Sequence, residues 1–385
     1  MSLPQPGAYV HLPWCVRKCP YCDFNSHNLR DDSDYVQYVD AVLADLQWTL
    51  NEQAWRPLRS VFFGGGTPSL CPPDQIGRII QALKTGPGLH PATEITLEAN
   101  PGTADEAHFA GYRQAGVNRL SIGVQSFQDD KLKALGRIHD HQAADRAIAL
   151  ARAAGFDNIN IDIMHGLPGQ SLEDSLFDLE RALDHQPEHL SWYELTLEPQ
   201  TAFARHPPEL PAEDVLAAIE RQGRRLLRGA GFRRYEISAW AQPGRRARHN
   251  LNYWRYGDFL ALGAGAHQKH TGAHGHIQRS ARQRAPGRYL ACAGSAQVLS
   301  QCSQPTPADR QEEFLLNAFR LVHGFSLRQF EQTTGLERAR LAPGLAQAQH
   351  LGLVRQSNNR VQPTALGLRY LNSLLMCFAE ATNAG

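Results

Sequence analysis

No apolar run in the sequence approaches the roughly twenty residues that a membrane-spanning helix needs. The opening Met-Ser-Leu-Pro-Gln-Pro-Gly has neither a basic stretch leading into an apolar one nor the arginine- and serine-rich composition of a transit peptide. Insertion in a membrane and export are therefore not expected. Charge of one sign is missing as well: 39 lysines and arginines face 38 aspartates and glutamates, a net of +1 that favours no polyanionic partner. Internal repeats and low-complexity tracts are absent. Cysteine is scarce, seven in 385 residues, and the odd count, with Cys71, Cys292, Cys302 and Cys377 in no pairing pattern, argues against a disulfide framework. A soluble, cytoplasmic protein in a reducing compartment is the expectation. Its 42% hydrophobic content suffices for one large domain and a smaller one.

The other three cysteines fall within eight residues, in Trp14-Cys15-Val-Arg-Lys-Cys19-Pro-Tyr21-Cys22-Asp-Phe24. Zinc sites use two cysteine pairs, or one pair with two histidines, and this spacing fits neither. An iron–sulfur cluster fits better. Four thiolates normally hold a [4Fe–4S] cube, so three leave one iron free for a small molecule. Three unrelated loop cysteines are the alternative, yet thiols this close invite oxidation if they have no ligand to hold. The C-x-x-x-C-x-x-C spacing, with Tyr21 before the third cysteine, resembles the signature of the radical S-adenosylmethionine (SAM) superfamily. That resemblance implies that the open iron chelates the amino and carboxylate groups of SAM, whose reductive cleavage gives a 5′-deoxyadenosyl radical.

Short β-rich runs at 8–12, 60–64, 94–100, 119–124, 158–164 and 189–196 alternate with helical stretches at 34–50, 73–83, 103–115, 129–135, 141–153 and 171–183. Six alternations argue for an α/β fold, a parallel sheet with helices outside. The resemblance implies a partial, open (β/α)6 barrel. Ligands of such barrels sit at the carboxyl ends of the strands, so those ends should be polar. They are. The first runs into the cysteine loop and the second into Gly64-Gly65-Gly66-Thr67-Pro68, whose glycines permit close backbone approach and leave amides facing a ligand, or simply make a turn. The third ends in Glu98-Ala-Asn100, the fourth in Gly123-Val-Gln125 and the fifth in Asp162-Ile-Met-His165. A carboxylate, an amide and a second carboxylate suit a ligand carrying an ammonium and ribose hydroxyls, and each alone could be a cap. Leu135-Gly-Arg137-Ile-His139 follows on a helix, and Arg137 offers a planar fork to a carboxylate.

The pattern changes after residue 198. Pro207-Pro208-Glu-Leu-Pro211 reads as a rigid spacer before a helix over 212–230. Residues 221–255 hold ten arginines, no lysine and one acid, Glu236, a local net of +9 that suits phosphates or carboxylates or is merely exposed. Within them, Arg248-His249-Asn-Leu-Asn-Tyr253-Trp254 sets aromatics after a lone histidine. The residues leave two readings of His249, an axial ligand beside a flat ligand such as haem, or a buried hydrogen-bonded imidazole. His267, His270, His274 and His276 read as a mobile polar loop, with no carboxylate near to support a metal. Helices at 309–321, 326–333 and 337–351, a hairpin at 355–362 and a last helix at 364–379 follow the order of a winged helix. The last helix places Leu366, Tyr370, Leu374 and Phe378 at steps of four along one face. The helix at 337–351 carries only Arg338 and Arg340 against Glu337, so nucleic acid is not the expected partner. The divisions are a barrel at 1–200, an α+β extension at 201–305 and a winged-helix-like domain at 306–385.

Taken together the motifs resemble the oxygen-independent coproporphyrinogen III dehydrogenase family and its HemW-type haem chaperone branch, over nearly the whole chain. Tyr9-x-His11-x-Pro13, Cys-Pro-Tyr-Cys-Asp-Phe24, the Gly64–Pro68 run, Glu98-Ala-Asn-Pro-Gly, Gly-Val-Gln-Ser-Phe127, Leu-Gly-Arg-Ile-His139, His-Gly-Leu-Pro168, Ser191-Trp-Tyr193 and His249-Asn-Leu-Asn-Tyr-Trp254 stand in its order. The dehydrogenases carry a further cysteine where this chain has Phe24, and a long arm where only eight residues precede Tyr9. Both departures point to the chaperone branch, as does the histidine motif. The resemblance implies Cys15, Cys19 and Cys22 as cluster ligands, Tyr9, Gly65, Gly66, Thr67, Glu98, Gln125, Arg137 and Asp162 around SAM, and His249 on haem. It implies haem delivery to an apoprotein such as a respiratory enzyme of a membrane. Oxidative decarboxylation of coproporphyrinogen is the alternative, and a tRNA-modifying radical SAM enzyme using the 221–255 block is a third.

Overall fold

The structure is a computed structural model that describes residues 4–30, 34–102 and 108–382. Six parallel strands form its centre: β1 (Gly7–Leu12), β4 (Leu58–Gly65), β5 (Leu89–Ala99), β6 (Arg119–Gln125), β7 (Ile159–His165) and β8 (His189–Glu194). They lie side by side in sequence order, the arrangement of a partial (β/α)6 barrel. Two-residue strands β2 (Trp14–Cys15) and β3 (His27–Asn28) close the cysteine loop between β1 and the first helix. The connecting helices are α1 (Tyr35–Glu52), α2 (Pro73–Thr85), α3 (Phe109–Ala115), α4 (Asp129–Ala134), α5 (His141–Ala153) and α6 (Leu172–Asp184). Local chemistry sets their starts. The Asp34 carboxylate accepts from the Val36 and Gln37 amides, and Ser171 with Asp174 forms a reciprocal capping box. The helix expected from residue 103 begins at Phe109, and 103–107 lie outside the described residues.

Strand periodicity sorts core from cavity. Val10, Val61, Phe63, Ile95, Leu97, Leu120, Ile122, Ile159, Ile161 and Leu190 pack under the helices in one buried cluster. The intervening positions are Tyr9, Phe62, Thr96, Glu98, Arg119, Ser121, Asn160, Asp162, Ser191 and Tyr193, which therefore point to the concave side of the sheet. A polar interior follows from this alternation alone.

The sheet continues at both edges. After α7 (Ala202–Arg205) and α8 (Glu213–Gly229), β9 (Arg233–Arg234) and β10 (Ala239–Ala241) add antiparallel beyond β8. Next α9 (Arg248–Trp254) leads into β11 (Phe259–Leu262), which pairs parallel to β1, and β12 (His267–Thr271), β13 (Ile277–Arg282) and, after α10 (Pro286–Cys292), β14 (Leu299–Ser303) extend that edge. The histidines expected in a mobile loop thus belong to a β-hairpin: His267 and His270 lie on β12, and His274 and His276 in its turn to β13. Burial of Lys269 in an ion pair with Asp258 at 2.8 Å fixes this strand despite its polar sequence.

The C-terminal part follows winged-helix order: α11 (Pro307–Ala318), β15 (Phe325–Ser326), α12 (Leu327–Thr334), α13 (Ala342–His350), β16 (Val354–Ser357) and β17 (Arg360–Pro363), with the strands in one three-stranded sheet. Its core of Phe314, Phe319, Phe325, Phe330 and Phe378 takes in Tyr256 and Ile277 from the extension. Two expectations are corrected. The stretch 337–351 is a 3-10 turn, Arg338–Leu341, before α13, whose first turn holds Pro343. The last helix is two, α14 (Ala365–Arg369) and α15 (Leu371–Thr382), broken at Tyr370 with φ −112° and ψ 53°. Leu374 and Phe378 are buried, whereas Leu366 and Tyr370 are exposed and share no packing face with them. Among the described residues no helix is long and apolar enough to cross a membrane.

Candidate functional site

The cysteine loop is fastened to the barrel by backbone bonds. His27 N donates to Pro13 O and Leu29 N to Cys15 O, both at 2.7 Å, while Lys18 Nζ donates to Phe24 O at 2.9 Å inside the loop. Across from it, Gly66 N donates to Leu12 O at 2.8 Å and Thr67 N to Trp14 O at 2.7 Å. A Cβ on Gly66 would stand 2.5 Å from Trp14 O, so glycine is required where the two backbones meet. The amides of this run, expected to face a ligand, are bonded inside the protein, that of Gly65 to the Glu98 carboxylate.

One cavity of about 560 Å³ joins the loop to the strand ends, within the size range of small-molecule sites. Cys15, Cys19, Cys22, Gly65, Gly66, Thr67, Glu98, Gln125, Arg137 and Asp162 all line it. The three thiols are half-buried, and burial pushes those of Cys15 and Cys22 up, so ligation by a metal would have to displace their protons. Among the described residues no three His, Cys, Asp or Glu side chains gather around the position of a single ion. A donor set of three soft thiols along one wall fits an iron–sulfur cube better than zinc.

Glu98 is pushed up to about 8, first by burial and then by the neighbouring Asp162. Asp162 is raised too by burial, and Ser121 Oγ and Asn160 Nδ2 each donate to it at 2.9 Å. Gln125, at φ 70°, turns its Oε1 to accept from Tyr193 Oη at 2.8 Å. Arg137 lies in the turn after α4, and its Nη2 donates to Asn100 Oδ1 at 2.7 Å and Gly123 O at 2.8 Å. Two acids and a fork of donors in one cavity can hold a zwitterion from both ends.

Tyr9 and His249 do not line this cavity. The Tyr9 hydroxyl lies 3.0 Å from His11 Nδ1, and its ring flanks Gly64 behind Glu98. His249 is 3% exposed, stacked on Phe62 with 4.8 Å between centroids, its Nδ1 3.3 Å from Ser60 Oγ. Burial, helped by Arg119, lowers it to about 3 and keeps it neutral.

Residues 9–180 match the radical SAM superfamily and 306–370 the HemN C-terminal domain. "Heme chaperone HemW" of Escherichia coli is 44% identical over 378 residues, 98% of this chain and 99% of that protein. The protein of the same name from Haemophilus influenzae is 43% identical over 98% of both chains. This chain belongs to the HemW family. The same fold occurs in the solved E. coli coproporphyrinogen III oxidase HemN, described as a radical SAM enzyme, with a TM-score of 0.81, 24% identity, and coverage of 97% of this chain and 90% of that one.

In this HemW-family chain the motif reading missed several lining residues, among them Arg119, Ser121, Asn160 and Tyr193. Strand alternation could have found them, since Arg119 and Ser121 share a face with Gln125. Glu236, Trp254 and Arg320 also line the cavity, and Arg320 stands 4.3 Å over the Trp254 ring and bonds Glu236 at 3.3 Å. Trp254 stands in the histidine motif, but no local pattern brings Glu236 and Arg320 to it.

Proposed function

We propose that this protein binds haem and delivers it to an apoprotein, while its barrel cavity holds a three-thiolate [4Fe–4S] cluster and SAM. The observation that carries the reading is the 44% identity, over 98% of the chain, to a protein named as a haem chaperone. Cys15, Cys19 and Cys22 would hold the cluster. Glu98 is the group for the amino N–H of SAM, Asp162 and Gln125 for its ribose, and Arg137 for its carboxylate, with Tyr9 positioning Glu98 from behind. When bound, the cluster supplies an electron at its open iron. The residues around it exclude water and keep Glu98 protonated until a cation arrives. Phe24, in the place of a further cysteine, is exposed on the cavity lining and offers no thiol there. A respiratory haem enzyme of a membrane is the proposed acceptor.

The test is a titration of haem into anaerobically reconstituted protein, followed in the Soret band, with a coproporphyrinogen decarboxylation assay on the same sample. Stoichiometric uptake without decarboxylation, and transfer to an apo-cytochrome, is the expected result. Loss of two carboxylates as carbon dioxide, without specific haem uptake, would replace the reading by the dehydrogenase.

A further inference from the structure

Among the described residues Arg119 is a buried cation without a counter-ion. The other buried lysines and arginines, Lys131, Lys269 and Arg282, are each paired with an aspartate. Arg119, 2% exposed, is in no ion pair among the described residues. Its hydrogen bond from Nη1 to Thr96 Oγ1 is long, 3.5 Å, and its Nε has no partner. A cation taken out of water without a partner is destabilising, so its place in the interior points to an anion that comes from outside.

Register places this charge. Arg119 pairs with Thr96, Thr96 with Phe62, and Ser121 with Glu98, so Arg119 springs from the level of side chains below Glu98, about 7 Å further into the barrel. It lines the same cavity as the SAM groups, together with Phe62 and Trp254. Gln125 ends the same strand and Arg137 bonds Gly123 O, so both stand above it. The acids of the cavity are engaged elsewhere. Ser121 and Asn160 donate to Asp162, Arg320 donates to Glu236, and Glu98 holds a proton at neutral pH. One unpaired guanidinium among three carboxyl groups suits a monoanion and disfavours a dianion such as phosphate, and the aromatic faces suit an organic body.

We propose that the floor of the barrel cavity is a second ligand site, which takes a small organic monocarboxylic acid beneath SAM. Arg119 meets its carboxylate, and Phe62 and Trp254 face its apolar body. The site rests on SAM occupying the strand ends and needs no haem.

Benzoate, its uncharged isostere benzamide and inorganic phosphate are titrated calorimetrically into full-length, cluster-loaded wild type and Arg119→Met, each at saturating SAM. Wild type should bind benzoate at least tenfold more tightly than benzamide or phosphate, and Arg119→Met should lose that preference. The variant removes an unpaired charge at similar side-chain length, so its urea midpoint without added carboxylate should be no lower than that of wild type. No preference for benzoate in the wild type, or the same preference in Arg119→Met, overturns the site. A lower midpoint in the variant overturns it too, because Arg119 would then be an internal counter-charge to Glu98 and Asp162, both of which it lowers. These results leave the haem-chaperone reading standing on its own assay. Failure of the wild type to bind SAM overturns the SAM reading and this site with it.

Discussion

Arg137 and Cys19 meet across the cavity, the guanidinium Nη1 lying 3.7 Å from Sγ. The same side chain holds Asn100 and Gly123 O, so one guanidinium ties the cysteine loop to the ends of two strands. Arg137→Lys keeps the charge and loses the fork, leaving an amide and a carbonyl without their donor. SAM affinity should fall about 10–100-fold, the worth of one or two charge-assisted bonds, while iron content stays near wild type. Equilibrium dialysis with labelled SAM and iron analysis on one preparation check both halves.

Glu98 fixes a pH dependence. Its ordinary value of 4.5 is raised to about 8, so the ligand-free carboxyl holds a proton at neutral pH. The N–H groups of a bound amine are held most strongly by the carboxylate, and binding below about pH 8 must release that proton. SAM affinity should therefore rise with pH, by up to about tenfold per unit, and level off near 8. Stability runs the other way. Between 4.5 and 8 the folded state holds more protons than the unfolded one, so stability falls as pH rises through that window, by on the order of a few kcal/mol from this group. Glu98→Gln should flatten both profiles, read by calorimetric titration and by denaturation at several pH values.

Gly66 tests the seam between β4 and the cysteine loop. Gly66→Ala places a methyl 2.5 Å from Trp14 O and 2.8 Å from the Pro13 carbonyl carbon, both backbone atoms with little room to retreat. The loop should shift, and reconstituted iron should fall well below the wild-type value while far-ultraviolet circular dichroism is unchanged. Wild-type iron content in this variant would show that the seam tolerates the shift.

The six parallel strands were legible from their apolar period of two, and β5 to β8 also carry a polar residue at or next to the carboxyl end. The same rule placed Glu98, Gln125 and Asp162 in one cavity. It did not reach β12, where His267-Gln-Lys-His270 shows no alternation and strand formation depends on Asp258 pairing with Lys269. Nor did it show the break at Tyr370, since the apolar spacing runs on through that residue. There Gly367 approaches Leu353 O so closely that no side chain would fit, and tertiary packing sets where each helix begins. His249 illustrates a third limit. Its motif is plain in sequence, yet burial behind Tyr253 and against Phe62 comes from segments far apart in the chain.

That burial makes the choice of variant at His249 decisive. His249→Ala would leave a hollow among Tyr9, Phe62 and Tyr253 and cost about 2–4 kcal/mol, so lost haem uptake in it would not separate ligation from unfolding. His249→Phe keeps the stack and gives up only the Ser60 contact, about 1 kcal/mol. It also removes a titration. A histidine lowered from 6.5 to about 3 binds its proton more readily in the unfolded chain, so it contributes stability that is lost as pH falls below 6.5. His11, His139 and His165, each lowered to about 4, act in the same direction. In His249→Phe the loss of stability between pH 6.5 and 4 should be shallower by up to one proton, and the iron spin state of the haem complex should change. Urea denaturation across that range, with electron paramagnetic resonance of the haem complex, reads both, and an unchanged pH slope together with an unchanged spin state would remove His249 from either role.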